Sequence, residues 1–319
     1  MAILDEARSH LEKALQLDPQ LGDARLALAS LHQKEGRLSE AKKLLRESIS
    51  ECPELAEARI QLADVLHEEK QTDEAIDLLR KAANMNPNDH LSRRRLAFLL
   101  VEKNESKKAA DLFTRVIELD PLDGEAHFHL ALLLEHPDDF QRALLLFQIA
   151  GDIMPQDPLP YYHMALLLLR GELTDKDGNL VKQPDAATAR KHLQTAVGLA
   201  PDHGPAHLIL GQIIREEGDE RAARRHFKKA SVEEGSKGLA YLELARLELA
   251  SGNHSKVRKL LDKAIQRPAS REEGLCERAD LFMGSGSFDH AEDDLKAALK
   301  GLRASDKKLQ GESDEAAAK

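Results

Sequence analysis

No tryptophan occurs in this 319-residue chain, and aromatic residues together make up 3% of it. A β-sandwich draws its core from β-branched and aromatic side chains, so that architecture is excluded as the main fold. Cysteine is nearly absent as well. Cys52 and Cys276 lie far apart and form no CxxC pair, which excludes a disulfide framework and fits a reducing, cytoplasmic setting. Basic charge is in deficit: 46 Lys and Arg face 56 Asp and Glu, for a net charge of −10. Such a surface repels a phosphate backbone, so nucleic acid is not an expected partner. Long apolar runs are missing too. The purest, Met164–Leu169, has six residues, against the ~20 that a membrane-spanning helix needs. The first residues, MAILDEARSHLEKAL, place acids where a signal peptide needs an unbroken apolar core. The phosphate-loop pattern, GxSxG and HExxH are also absent. The chain is therefore expected to be non-enzymatic, with no cofactor and no metal.

What is there is repetition. Units beginning at Gly22, Ala56, His90, Gly124, Pro158, Gly204, Gly238 and Glu272 are 34 residues apart, except for one step of 46 after Pro158. The eighth place is always small: Ala29, Ala63, Ala97, Ala131, Ala165, Gly211, Ala245 and Ala279. The twentieth is small or nearly so, from Ala41 and Ala75 to Val257 and Ala291, and the twenty-fourth is large, as in Leu45, Phe113 and Phe227. Each unit reads as two helices of about a dozen residues. Places 7, 8 and 11 share a face of the first helix, and places 20, 24 and 27 share a face of the second. Small residues let two backbones approach, and the large residue fills the gap beside them. Gly36, Gly218, Gly252 and Gly286 stand at the fifteenth place, where a left-handed residue ends the first helix. Ser39, Asp73, Ser255 and Asp289 at the eighteenth are expected N-caps of the second. Proline at the thirty-second place, Pro53 through Pro201, marks the turn into the next unit until Gly235 replaces it.

These columns resemble the tetratricopeptide repeat (TPR), a 34-residue helix–turn–helix unit, over nearly the whole chain. The resemblance implies an all-α solenoid of about eight units in a right-handed superhelix, its concave face lined by first helices. Two departures stand out. Arg25, Arg59, Arg93 and His127 occupy the fourth place, where the family has tryptophan, and the junctions near Gly235 and Pro268 are irregular. Residues 1–21 read as the second helix of an incomplete leading repeat, 22–302 as the solenoid, and 303–319 as a polar, disordered tail. The uncovered outer side of the first helix, with Ile3 and Leu4, and the open last repeat suggest self-assembly as a second reading. A third is a targeting arm cut from a longer protein.

The 46-residue step comes from an insertion at 171–184, inside the fifth unit. Asp175, Asp177 and Asn179 have the alternation of a calcium loop, yet Leu180 and Ala186 stand where an EF-hand needs Gly and Glu. The stretch reads instead as a small hairpin around Asp177-Gly178, decorating a turn without breaking the register. It is expected to lean on the rim and touch a partner.

The partner is expected to be a protein or peptide, apolar with an acidic group. By resemblance, places 2, 5, 6, 9, 12 and 13 of the first helices face the groove. There stand Phe98, Phe128, Leu132, Tyr162, Leu166 and Leu169, an apolar stripe additional to the core face, with His129 and His163 in adjacent units. Phe98, Phe128 and Tyr162 are the expected anchors. Val101, Leu208, Leu242 and Leu249 extend the stripe. Arg94 and Arg95 would meet an acidic group, whereas Arg93 continues the structural column of Arg25 and Arg59. Pairing of these arginines with Glu57 or Asp64 of the preceding unit is the alternative. The fourteen histidines offer spacings such as His203/His207 but no completed metal shell. The chaperone-tail clamp of the family is absent, since Leu26 and Ser30 stand at its places.

Overall fold

The 3.6-residue period of the apolar columns becomes α-helix in nearly every segment that the structure, a computed structural model, describes. It describes residues 2–134, 139–170, 173–174, 180–182 and 185–317, with side chains over 5–134, 139–170 and 185–304. The chain divides into two compact units, Met1–Met154 and Pro155–Lys319. The first holds α1 (Ala2–Leu17), α2 (Gly22–Lys34), α3 (Leu38–Glu51), α4 (Ala56–Glu68), α5 (Thr72–Met85), α6 (His90–Glu102), α7 (Ser106–Leu119), α8 (Gly124–Leu133) and α9 (Phe140–Ile153). The second holds α10 (Pro158–Leu169), strands β1 (Leu173–Thr174) and β2 (Leu180–Lys182), then α11 (Ala186–Leu199), α12 (Gly204–Glu216) and α13 (Glu220–Ala230). It continues with α14 (Glu234–Ala250), α15 (His254–Ile265), α16 (Arg271–Gly284) and α17 (Phe288–Ala317). Within each unit every helix packs on the next, and first helices touch their successors, α2 on α4 and α12 on α14. This is an all-α solenoid.

The contact between partner helices rests on the small columns. Ala29, Ala63, Ala97, Ala131, Ala165 and Ala245 are buried, as are the large residues facing them, Leu45, Leu79, Phe113, Phe227 and Leu261. Gly211 shows how tight the fit is. A Cβ there would lie 2.6 Å from Cε1 of Phe227, which is wholly buried.

The turn between paired helices is built as expected at its glycines and differently at its caps. Gly36, Gly218, Gly252 and Gly286 have φ between 73° and 91°, and Lys70 and Asn104 hold the same left-handed place in the second and third repeats. The residue after each donates its N–H back to the first helix, as Arg37 does to His32 and Asp219 to Ile214. That six-residue closure turns the chain so sharply that the sixteenth place is already the cap. Ser39, Asp73, Ser255 and Asp289 therefore sit inside the first turn rather than at the N-cap. Side-chain caps fall elsewhere: Asp89, Asp123, Asp157 and His203 before first helices, Asp185 and Asp219 before second helices.

In the insertion β1 and β2 pair antiparallel, Leu173 opposite Lys182 and Thr174 opposite Leu180. Asp175, Asp177, Gly178 and Asn179 lie outside the described residues, as do the side chains of Ile3 and Leu4. The irregular junctions shift two helix starts. α14 begins four residues ahead of Gly238, and a 3-10 turn, Pro268–Ser270, precedes α16. Buried Ser236 and Ser270 donate their hydroxyls to the carbonyls of Ala230 and Ala264 there, at 2.7 and 2.8 Å. The tail expected to be disordered from 303 is instead helical to Ala317. Its alanine, lysine, glutamate and leucine are strong helix formers, which a reading by polarity alone overlooks.

The fourth-place column does without tryptophan by ending helices. Arg25 donates to the carbonyl of Pro19, Arg93 to those of Ala83, Asn86 and Asp89, and His127 and His207 reach Pro121 and Pro201 at 3.1 and 3.0 Å. Apart from Ala83 in the last turn of α5, these carbonyls belong to the turns between helices and are thereby satisfied. The Pro201 carbonyl can only accept, so Nε2 of neutral His207 carries its proton, and the Nδ1–H of His226 donates to Nδ1 of His207 at 2.9 Å. Burial pushes the His226 imidazole down to about 4, and His207 beside it adds to the shift. Burial lowers His207 as well, against the opposing bond to Pro201.

Two outcomes follow. Gly211→Val is expected to destabilise the second unit by ~1–3 kcal/mol through overpacking against Phe227. Gly211→Ala should cost less, because helix propensity returns ~1 kcal/mol; urea midpoints of the two variants check the order. The folded pKa of His226 lies below its unfolded value near 6.5. As pH falls, the unfolded chain takes up this proton first. The pair's contribution is full above about pH 6.5 and is lost toward the folded value of about 4. Melting temperature should fall across that window, and His226→Gln should flatten the fall.

Candidate functional site

On the first unit, the first helices are joined by side-chain rungs that cross from each to the next. Ser30 bonds Gln61 at 3.2 Å, Gln33 bonds Glu68, and His67 faces Glu102 at 3.4 Å. Arg95 reaches Asp64 at 3.4 Å and keeps about half its side chain exposed. Burial raises the Asp64 carboxyl above its ordinary value, with Arg95 opposing.

Arg94 has a different task from the one expected of it. Its Nη1 donates to Oδ2 of Asp123 at 3.0 Å and lies 3.4 Å from Glu125. Asp123 is buried, and its other oxygen accepts the N–H of Ala126 to cap α8. A buried carboxylate without a counter-charge is costly, so Arg94 is committed inside the molecule. The alternative reading, pairing with acids of the preceding unit, holds for Arg95 with Asp64; Arg94 pairs instead with Asp123 and Glu125 of the following repeat.

Beside these arginines an aromatic cluster reaches the surface at its edge. Phe98 meets Phe113 edge-on at 5.3 Å and His129 at 4.7 Å, while His129 stacks on Phe113 at 5.7 Å. Burial holds the His129 imidazole below its ordinary value, with Glu125 and Asp123 opposing. Phe128 is buried against Phe147, at 5.6 Å, and belongs to the core. Fifth-place residues Leu26, Ile60, Leu208 and Leu242 are buried too, whereas Arg94, Tyr162 and Cys276 at the same place are half-buried. The apolar stripe is thus narrower than expected. Phe128, Leu208 and Leu242 leave it. Phe98, Val101 and His129 stay half-buried, and Leu132 is 38% exposed.

On the second unit, Tyr162, His163, Leu166 and Leu169 lie half-buried along α10. The Tyr162 ring is 5.3 Å from that of His163 and 4.8 Å from that of His203. Burial raises its phenol above the ordinary range, with Glu233 adding. His203 stands in the turn, where its Nδ1 accepts the N–H of Ala206. Among the described residues no three His, Cys, Asp or Glu side chains converge as metal ligands.

Further along the same unit lies a network that the apolar reading missed. Buried Glu243 accepts from Gln212 at 2.8 Å, from Arg246 at 3.0 Å and from Arg215. Arg246 continues to Glu273 and Glu277, tying α12, α14 and α16 together. A signal was present: glutamates at the sixth place, Glu243 and Glu277, stand opposite Gln212 and Arg246 at the ninth.

Comparison with known proteins follows the same lines. Residues 4–51, 34–96 and 66–133 match one family model described as Tetratricopeptide repeat, and 179–238 match a second of that description. No curated protein matches the chain. Among solved structures, the chain is similar to the APC/C hetero-tetramer Cut9-Hcn1, at 16% identity and a TM-score of 0.51, over 92% of this chain and 59% of that one. It is also similar to YrrB, a TPR protein with an unusual peptide-binding site, at 20% identity and a TM-score of 0.47, over 61% and 95%. MamA of Desulfovibrio magneticus RS-1 follows at 21% and 0.45, over 55% and 92%. At these identities the Cut9-Hcn1 likeness speaks for the fold alone. Among the described residues no helix is long and apolar enough to cross a membrane.

The two arginines should separate in a stability measurement. Arg94→Met is expected to cost ~1–3 kcal/mol, because it strands a buried carboxylate. Arg95→Met should change stability by less than ~0.5 kcal/mol. Equal losses in urea denaturation would contradict this division.

Proposed function

The chain belongs to the tetratricopeptide repeat superfamily, and from that premise we propose that it is a non-enzymatic scaffold that binds a segment of a partner protein on the faces of its first helices. One observation carries the reading. The seventh and eighth places close the core together with most of the fifth, yet apolar side chains remain accessible at the ninth and twelfth, with Leu132 38% and Leu249 49% exposed. Apolar groups left uncovered beside a finished core favour a protein ligand. On the first unit the binding residues would be Phe98, His129 and Leu132, with Arg95 offering its exposed arm to an acidic group. On the second they would be Tyr162, His163, Leu166 and Leu169. Arg94 and Phe128 are left out, since one is committed to Asp123 and the other is buried. A cytoplasmic location belongs to the same proposal and rests on two cysteines that are both free.

Self-assembly keeps support from one feature. Leu295, Leu299 and Leu302 on α17 are 42%, 48% and 51% exposed and share one stripe. Sedimentation at rising concentration separates the readings, because only self-assembly raises the mass.

A partner recovered on the wild-type chain and then titrated by calorimetry tests the scaffold reading. Phe98→Ala with Leu132→Ser, and separately Tyr162→Ala with Leu166→Ser, are compared at unchanged helix content. Loss of an anchor should weaken binding by ~2 kcal/mol or more. Unaltered affinity in both double variants would refute the assignment of these faces.

A further inference from the structure

Place 21 of the repeat, on the second helix, carries a basic residue four times: Lys42, Arg190, Arg224 and Arg258. Three of the four are paired with an acid on, or at the C-cap of, the following first helix: Lys42 with Glu69, Arg190 with Glu217, and Arg224 with buried Glu248. Glu69 and Glu217 stand at place 14 of their units, and Glu248 at place 11. Those two places in the last unit hold Ser285 and Phe282. Among the described residues no carboxylate pairs with Arg258. Its guanidinium lies over the Phe282 ring, 5.3 Å from the centroid.

Arg258 also stands at an opening. A cleft of about 800 Å³ lies between α14, α15 and α16, lined by Leu249, Leu281 and Phe282 as well as by Arg258. Its floor is core, with Leu261 and Val257 both buried. The lining also carries Glu277, engaged by Arg246, and the exposed Asp280, both on α16. An apolar hollow with an unmatched guanidinium at its edge is complementary to an apolar side chain next to a carboxylate. Asp280 sets a limit, since it repels a second negative charge.

We propose that this cleft is a subsite for a partner peptide, taking an apolar side chain against Leu249, Leu281 and Phe282 and one neighbouring carboxylate on Arg258. The incoming carboxylate supplies the acid that the repeat omits here, as Glu248 does for Arg224 one repeat earlier. The proposal rests on the scaffold reading and shares Leu249 with it, but its cleft lies between first and second helices.

The test is selection of a randomised nine-residue peptide library on the full chain, followed by fluorescence anisotropy with the recovered peptides. Recovered sequences are expected to place Leu, Met or Phe beside a single Asp or Glu. Arg258→Met should weaken them by about tenfold or more, as should replacing that acid by its amide. Leu249→Ser should weaken them through the apolar contact, while Phe98→Ala with Leu132→Ser should leave them unchanged. Melting curves confirm that the variants fold. Peptides without an acid, full affinity in Arg258→Met, or an empty selection would each overturn the proposal. So would a concentration-dependent dimer that Arg258→Met dissolves, since the occupant would then be a second copy. Loss in the Phe98 and Leu132 variant alone would instead uphold the scaffold reading and sink this subsite.

Discussion

Close approach of helix backbones, permitted by small residues at three places in most repeats, is the constraint from which the rest of the structure follows. Alanine or glycine at place 8, alanine at place 20 in every unit but that of Val257, and small residues such as Ser48, Ala82 and Ala196 at place 27 remove the side chains that would hold paired helices apart. Once the backbones are that close, only one large residue is needed beside them, and place 24 supplies it. Many short contacts between well-packed atoms then stand in for the few large aromatic ones that this chain lacks. The missing tryptophan at place 4 is resolved by different chemistry. Arginine and histidine bridge to the preceding turn and end on its open carbonyls, so a polar group closes the gap that an indole would fill.

A core closed in this way leaves places 6, 9 and 12 of the first helices unspent. Two uses are made of them. Where charges alternate between neighbouring helices, as from Gln212 through Glu243 and Arg246 to Glu277, the side chains bond one another and stiffen the stack. Where Phe98 and Leu132 interrupt such rungs, apolar surface is left to solvent. The same helices therefore carry both cohesion and adhesion, and the residue at one place decides which.

Much of this was legible because repetition averages out local ambiguity. Columns of alanine locate helix pairs more firmly than any one segment could, and a left-handed residue follows from Gly36 and Gly218 with little need of context. The caps were not legible to the residue. Ser39 and Asp73 are good capping types standing one step inside the helix, and a backbone closure invisible to composition moved the boundary. Arg94 and Phe128 failed for a related reason. A face inferred from period alone does not distinguish a residue pointing at solvent from one lying under the following repeat. Burial depends there on the twist between neighbours, which the sequence does not print.

Repetition also makes a chain its own control. A substitution within a column is silent when the new residue performs the old task, as His127 does for Arg93 at place 4. It is informative when a partner column breaks while its counterpart is kept. Glu248 answers Arg224, and Phe282 does not answer Arg258, although both arginines stand at the same place on the same kind of helix. Cation–π contact over one ring is worth less than a charged hydrogen-bonded pair with a carboxylate. The guanidinium beside Phe282 therefore keeps donors to give. Retaining a charge while removing its internal acid converts a structural rung into a surface that can discriminate between ligands, without any change in the backbone that carries it.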